Sequence, residues 1–182
     1  PSKDPATTGK RWRESMQDGI PDTRPSPGWW PCQDYPAYLR CIARAIRKVK
    51  PDAEIVFNTY NWGYSPQAQR RKFLESLPKD IIVQTTFEIF KVNRLDGLSC
   101  PVMDYTISAT EPGDYFTSEC AMAHELGLEL CATTNTIGAT WDFGTAPYVP
   151  APHRWIKRFR HLNEALEKWG LTRHYETHHY GW

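Results

Sequence analysis

Several things are scarce in this sequence, and each absence excludes something. No apolar run approaches the roughly 20 residues that a membrane-spanning helix needs. Charge of one sign is missing too. The 22 Lys and Arg oppose 21 Asp and Glu, for a formal net charge of +1. No strong field therefore points toward nucleic acid or an anionic membrane, and neither is expected as a partner. No glycine-rich phosphate loop follows any β-rich run, which argues against a dinucleotide-binding sheet. The five cysteines, Cys32, Cys41, Cys100, Cys120 and Cys131, show no Cys-x-x-Cys spacing. Their odd number also speaks against a disulfide framework or a zinc site. They are expected mostly as small buried residues or free thiols, with one disulfide left open. The chain starts at Pro1 with no initiator Met and no signal-peptide pattern, so an upstream portion is expected to have been removed.

What is present is globular. Hydrophobic residues are 40% and charged residues 24% of 182, enough for one ordinary domain with a core. Aromatic residues reach 13%, with eight Trp and nine Tyr, and many of the Trp lie in loop-like sequence. Residues 1–34 carry Pro, Gly and Trp without a sustained period and read as a long loop of the same domain. From 35 to 49, Tyr38, Leu39, Ile42, Ile46 and Val49 fall at helical spacing, with Arg40, Arg44, Arg47 and Lys48 opposite. Residues 53–58 then form a β-rich run of the kind buried on both faces. Ser65 and Pro66 are suited to cap and open a helix through Leu77.

The alternation continues. Strands are expected at 81–86, 102–107, 128–133 and 171–178. A helix is expected after Thr117 or Ser118, closed by Gly127, and another from Pro152 to Gly170. The second of these places Trp155, Ile156, Phe159, Leu162, Leu166 and Trp169 on one apolar face. Strands alternating with helices imply a parallel sheet. Candidate site residues follow every strand, which favours a (β/α)8 TIM-barrel type over a doubly wound sheet. Five strands do not close an eight-stranded barrel. The expectation is thus a partial barrel over 35–182, about five strand–helix units of its C-terminal part, with the remainder supplied by a segment upstream.

In such a barrel, ligands meet the loops at the strands' C-terminal ends. Those ends offer Asn58, Tyr60, Asn61 and Trp62; Glu88; Asp104 and Tyr105; Asn135, Trp141 and Asp142; and Glu176, His178, His179, Tyr180 and Trp182. Carboxylates and amides bond hydroxyls, and indole and phenol rings cover the apolar faces of sugars. Glycoside hydrolysis usually needs a pair of carboxyl groups. Glu88, ending an apolar strand between Phe87 and Ile89, is the leading catalytic candidate, with pairing to Lys91 or Arg94 as the alternative. Asp104 is the second, with a structural ion pair as its alternative. Asn58, Tyr60, Asn61, Trp62, Trp141, Asp142, Glu176, His178, His179 and Trp182 are candidate substrate contacts. Asp142, in Asp-x-Gly, is also ordinary turn chemistry, the reading slightly favoured for it. Alternation puts His174, Glu176 and His178 on one strand face, where a divalent metal would also find ligands. Substrate contact is the preferred reading, and no cofactor is expected.

Phe57-Asn58-Thr59-Tyr60-Asn61-Trp62-Gly63, Thr140-Trp141-Asp142-Phe143-Gly144 and Glu176-Thr177-His178-His179-Tyr180-Gly181-Trp182 resemble the second half of bacterial barrel proteins grouped with hexosaminidase-like glycoside hydrolases. That resemblance implies a carbohydrate substrate. The family's adjacent Asp-Glu pair does not occur here, so no catalytic residue is carried over from it. The expectation is a glycosidase, exported, acting on a polysaccharide or glycan. The alternatives are a metal-dependent hydrolase, with ligands among Asp104, His174, Glu176 and His178, and a non-catalytic glycan-binding barrel.

Overall fold

The computed structural model of the protein describes residues 30–60, 65–102, 106, 109–134 and 152–176. These fall into two compact units, one within 1–55 and 61–78, the other within 56–60 and 79–182.

The first unit holds helix α1 (Trp30–Val49) and helix α2 (Gln67–Ser76). α1 begins inside the stretch expected to be loop. Pro31 falls in its first turn, where a proline's missing N–H matters little, and Pro36 is carried inside the helix with the loss of one backbone bond. Its buried face is Cys32, Leu39 and Ala43, while Tyr38, Ile42, Ile46 and Val49 are exposed. The expected apolar stripe therefore exists, but only its Leu39 edge is covered. Phe73 and Leu74 of α2 are buried, and Arg40 of α1 donates to the Ser76 carbonyl at 3.1 Å. α2 starts one residue later than expected. Pro66 occupies the N-cap position and no side chain caps the helix. Ser65 instead uses its carbonyl, which accepts from Arg70 Nε at 3.2 Å.

The second unit is a four-stranded parallel sheet in the order β1-β2-β5-β6. Its strands are β1 (Ile55–Asn58), β2 (Ile81–Thr86), β5 (Leu130–Thr134) and β6 (Leu171–Glu176). Helices α3 (Asp114–Glu125) and α4 (Pro152–Trp169) connect the last three. Each new strand is added on the same side of the one before, with no reversal of order. Among the described residues the sheet is open, with β1 and β6 at its edges.

The expected strand at 102–107 is not found at Val102 or Thr106, which are irregular; 103–105 and 107–108 lie outside the described residues. A separate antiparallel hairpin, β3 (Val92–Leu95) and β4 (Leu98–Pro101), precedes it. Asp96 and Gly97 form its turn at φ +49° and +78°, the left-handed pair that a tight hairpin turn requires.

α3 begins at Asp114, three residues before the expected cap, with Gly113 at the N-cap position. The Asp114 carboxylate sits where the helix dipole favours it. Thr117 and Ser118 fold back onto the carbonyls of Gly113 and Tyr115 at 3.1 and 3.0 Å, a use of hydroxyls inside a helix rather than at its cap. Gly113 lets two segments approach. Its N–H donates to the Phe87 carbonyl at 2.8 Å, and a Cβ there would lie 2.8 Å from the Ile89 oxygen. Gly127 and Gly170 close their helices at φ +66° and +70°, as expected.

Register fixes the faces. Thr85, Ala132 and His174 are cross-strand neighbours, as are Thr86, Thr133 and Tyr175. Alternation along each strand puts the first set on one face and the second on the other. The β2–β5 ladder runs one step further, from Phe87 N–H to the Thr133 carbonyl at 3.0 Å. Phe87 meets Phe116 of α3 edge-on at 5.2 Å, and the Arg158 guanidinium of α4 lies 5.6 Å from its ring centre. Phe159 of α4 meets His174 edge-on at 5.7 Å. Both helices thus cover the face of Phe87, Thr85 and His174. The buried side of α4 is Arg158, Leu162 and Ala165, not the full apolar stripe. Ile156, Phe159 and Leu166 are exposed, and Trp155 and Trp169 are only half-buried. None of the five cysteines forms a disulfide, and Cys41 and Cys100 are exposed.

Candidate functional site

Polar side chains gather where β1, β2, β5 and β6 end, in three clusters. The first is built on Glu88, two residues past β2. Its carboxylate is fully buried (0% exposed). Oε1 accepts from the Thr106 N–H at 3.1 Å and faces Arg158 at 3.4 Å. Arg158 is also buried. It donates through Nε to the Ala109 carbonyl at 2.9 Å and through its terminal nitrogen to the Thr106 carbonyl. A charge this deep requires a partner, and α4 turns an arginine inward to supply it. The expected alternative partner Lys91 instead holds Glu111 at 2.8 Å, and that hydrogen bond pulls the Glu111 carboxyl below its ordinary value.

The pair of Glu88 and Arg158 therefore pins residues 106 and 109. These lie just after Asp104, which is itself outside the described residues. Glu88 was expected to face ligand as a catalytic acid. Its side chain lies inside the protein, in a clamp on Thr106 and Ala109.

The second cluster joins β5 and β6. Thr134 and Glu176 are register partners, and His174 lies two residues back on the same face. Thr134 Oγ1 donates to Glu176 Oε1 at 2.7 Å and lies 2.9 Å from His174 Nε2, which lies 2.6 Å from the same carboxylate oxygen. The shared face of His174 and Glu176 is as expected from alternation, and it is the helix-covered face. Tyr175 and Arg173 take the other. Arg173 there pairs with Glu129 at 2.5 Å.

The third cluster lies at the end of β1. Thr59 gives its hydroxyl to the buried carboxylate of Glu119 on α3, and its carbonyl accepts from the Tyr115 hydroxyl at 2.5 Å. Asn58 Oδ1 accepts from the Tyr60 N–H at 2.8 Å, so this exposed amide shapes the turn after β1. The hydroxyls of Thr85, Thr86 and Thr133 are buried with no hydrogen-bond partner among the described residues. Burial pushes the thiol of Cys120 well above its ordinary value, helped by the neighbouring Glu119 charge; burial also raises Cys131, opposed by a contact from Gln84.

Asn58, Tyr60, Glu88 and Glu176 are thus placed at strand ends. Asn61, Trp62, Asp104, Trp141, Asp142, His178, His179 and Trp182 lie outside the described residues. Among the described residues no group of three or more His, Cys, Asp and Glu side chains is gathered as for a metal ion, and no helix is long and apolar enough to cross a membrane. Several residues of the clusters were not anticipated, among them Tyr115, Glu119, Thr134 and Arg158. Arg158 does carry a signal, being a cation between the apolar positions Trp155, Phe159 and Leu162 of an amphipathic helix. No protein family, no curated protein and no solved structure matches the chain.

Proposed function

We propose that the chain forms the later β/α units of a (β/α)8 barrel that binds and hydrolyses a glycan at its strand ends. The observation that carries this reading is the clamp. A buried carboxylate and a buried guanidinium, from β2's end and α4, are both committed to fixing residues 106 and 109. Fixing a loop this firmly is what a site needs when the loop brings in a reacting group, because small misplacements of such a group are costly. Asp104 is the reacting carboxylate in this reading, and Glu88 is a positioning residue that acts through the loop. The second carboxyl of a hydrolytic pair comes from residues beyond those described.

The parallel order without reversal supports the barrel over a doubly wound sheet, whose order turns back at a switch point. The open edges at β1 and β6 and the exposed stripe Ile156, Phe159 and Leu166 beside β6 are surfaces that further β/α units would cover. Asn58 and Tyr60, together with the tryptophans Trp62, Trp141 and Trp182, supply the amide and ring surfaces that sugars favour.

The test is turnover of aryl glycosides by the full-length protein. Asp104→Asn is expected to abolish turnover at unchanged thermal stability. Glu88→Gln is expected to lower both, since it loosens the loop. Absence of turnover across a broad panel of sugars and linkages, or an Asp104→Asn variant as active as the parent, would sink the reading.

A further inference from the structure

The cluster of Thr134, His174 and Glu176 plays no part in the reading above. Its three donor atoms are mutually 2.6, 2.7 and 2.9 Å apart. With a neutral imidazole, only two protons are available to these three contacts, one on the hydroxyl and at most one on Nε2. One edge of the triangle therefore has no proton of its own. A nucleophile–base–acid relay would set the two ring nitrogens against different partners. Here a single nitrogen, Nε2, faces both the hydroxyl and the carboxylate, so the arrangement is not a relay.

It does match a coordination face. Ligands about 2.1 Å from an octahedral ion stand about 3.0 Å from one another. The observed triangle reaches that geometry by opening a few tenths of an ångström. We infer that Thr134 Oγ1, His174 Nε2 and Glu176 Oε1 form one face of a divalent-cation site. An imidazole, a carboxylate and a hydroxyl are a mixed donor set that suits Mn2+ or Zn2+ rather than Ca2+. The His174 and Glu176 side chains are 24% and 30% exposed, so an ion reaches them from solvent. Phe159, edge-on to the imidazole at 5.7 Å, holds the ring plane. Thr134 is the last residue of β5 and is buried.

The experiment is a calorimetric titration of chelator-stripped full-length protein with Mn2+ and with Zn2+, in two buffers of different ionisation heat. One equivalent is expected to bind. His174→Gln and Glu176→Gln, checked for folding by circular dichroism, are expected to weaken binding by about tenfold or more. If those variants do not fold, the near-isosteric Thr134→Val takes their place and is expected to weaken binding severalfold. No binding of either ion at millimolar concentration overturns the inference. So does binding that is unchanged in the folded variants. Glycosidase activity enters none of these measurements, so the two readings fail separately.

Discussion

Arg158 provides the sharpest test of how this fold is held. It is among the largest fully buried side chains and, among the described residues, serves the carbonyls of Thr106 and Ala109 and the carboxylate of Glu88. Replacing it by Met keeps most of the volume and the helix propensity and removes the charge. Glu88, at 0% exposure, then loses the guanidinium that it faces. Stranding one partner of a buried pair costs about 3–5 kcal/mol. Some of the lost carbonyl bonds are contained in that figure, because contacts within one network do not add. About 4 kcal/mol is a large part of a stability that is typically about 5–15 kcal/mol. At roughly 2–4 °C per kcal/mol for a chain of this size, it corresponds to a fall in Tm of about 8–16 °C.

The assay is urea unfolding of the full-length protein, followed by circular dichroism and tryptophan fluorescence. The midpoint should fall with an unchanged slope. The double variant Glu88→Met with Arg158→Met removes both charges. It should recover most of the loss and settle within about 1–2 kcal/mol of the parent, since apolar replacement of a whole buried pair is often close to neutral. The Thr106 and Ala109 carbonyls and the Thr106 N–H, which lose these bonds, account for the remainder. A loss below about 1 kcal/mol for Arg158→Met, or a double variant no better than the single one, would refute the argument that Glu88 depends on this guanidinium.

Two further outcomes follow from the packing. Under native conditions iodoacetamide should modify Cys41 and Cys100 and spare Cys120 and Cys131, whose thiols burial holds protonated; peptide mass spectrometry reads the sites, and labelling of Cys120 at the rate of Cys41 would contradict the packing of α3. Gly113→Ala should cost about 1–3 kcal/mol, because its Cβ would meet backbone of Ile89 and Lys91 at 2.8 and 3.2 Å and neither is free to move aside; a neutral effect in thermal unfolding would mean that the junction of β2 and α3 is looser than drawn.

Much of the parallel sheet is legible in the sequence because strands buried on both faces leave little room for alternatives. The Ile81–Thr86 run coincides with β2 to the residue, and Gly127 and Gly170 end their helices where a left-handed residue is needed. The hairpin of β3 and β4 was missed although Asp96-Gly97 announces it, since short polar strands give no hydrophobic period and only the turn speaks for them. Helix faces are less legible for a different reason. Periodicity shows which residues of α1 and α4 are apolar, not how much of that arc a neighbour covers. In α4 the covered arc is rotated toward Arg158 by the demand of one buried carboxylate. That demand is set by Glu88, 70 positions away in the chain, where no local pattern reports it. The same holds for Thr134, which is unremarkable in sequence and acquires its partners only when β5 and β6 align in register. Strand ends could therefore be located from the sequence, but which of their side chains face one another is a property of the sheet.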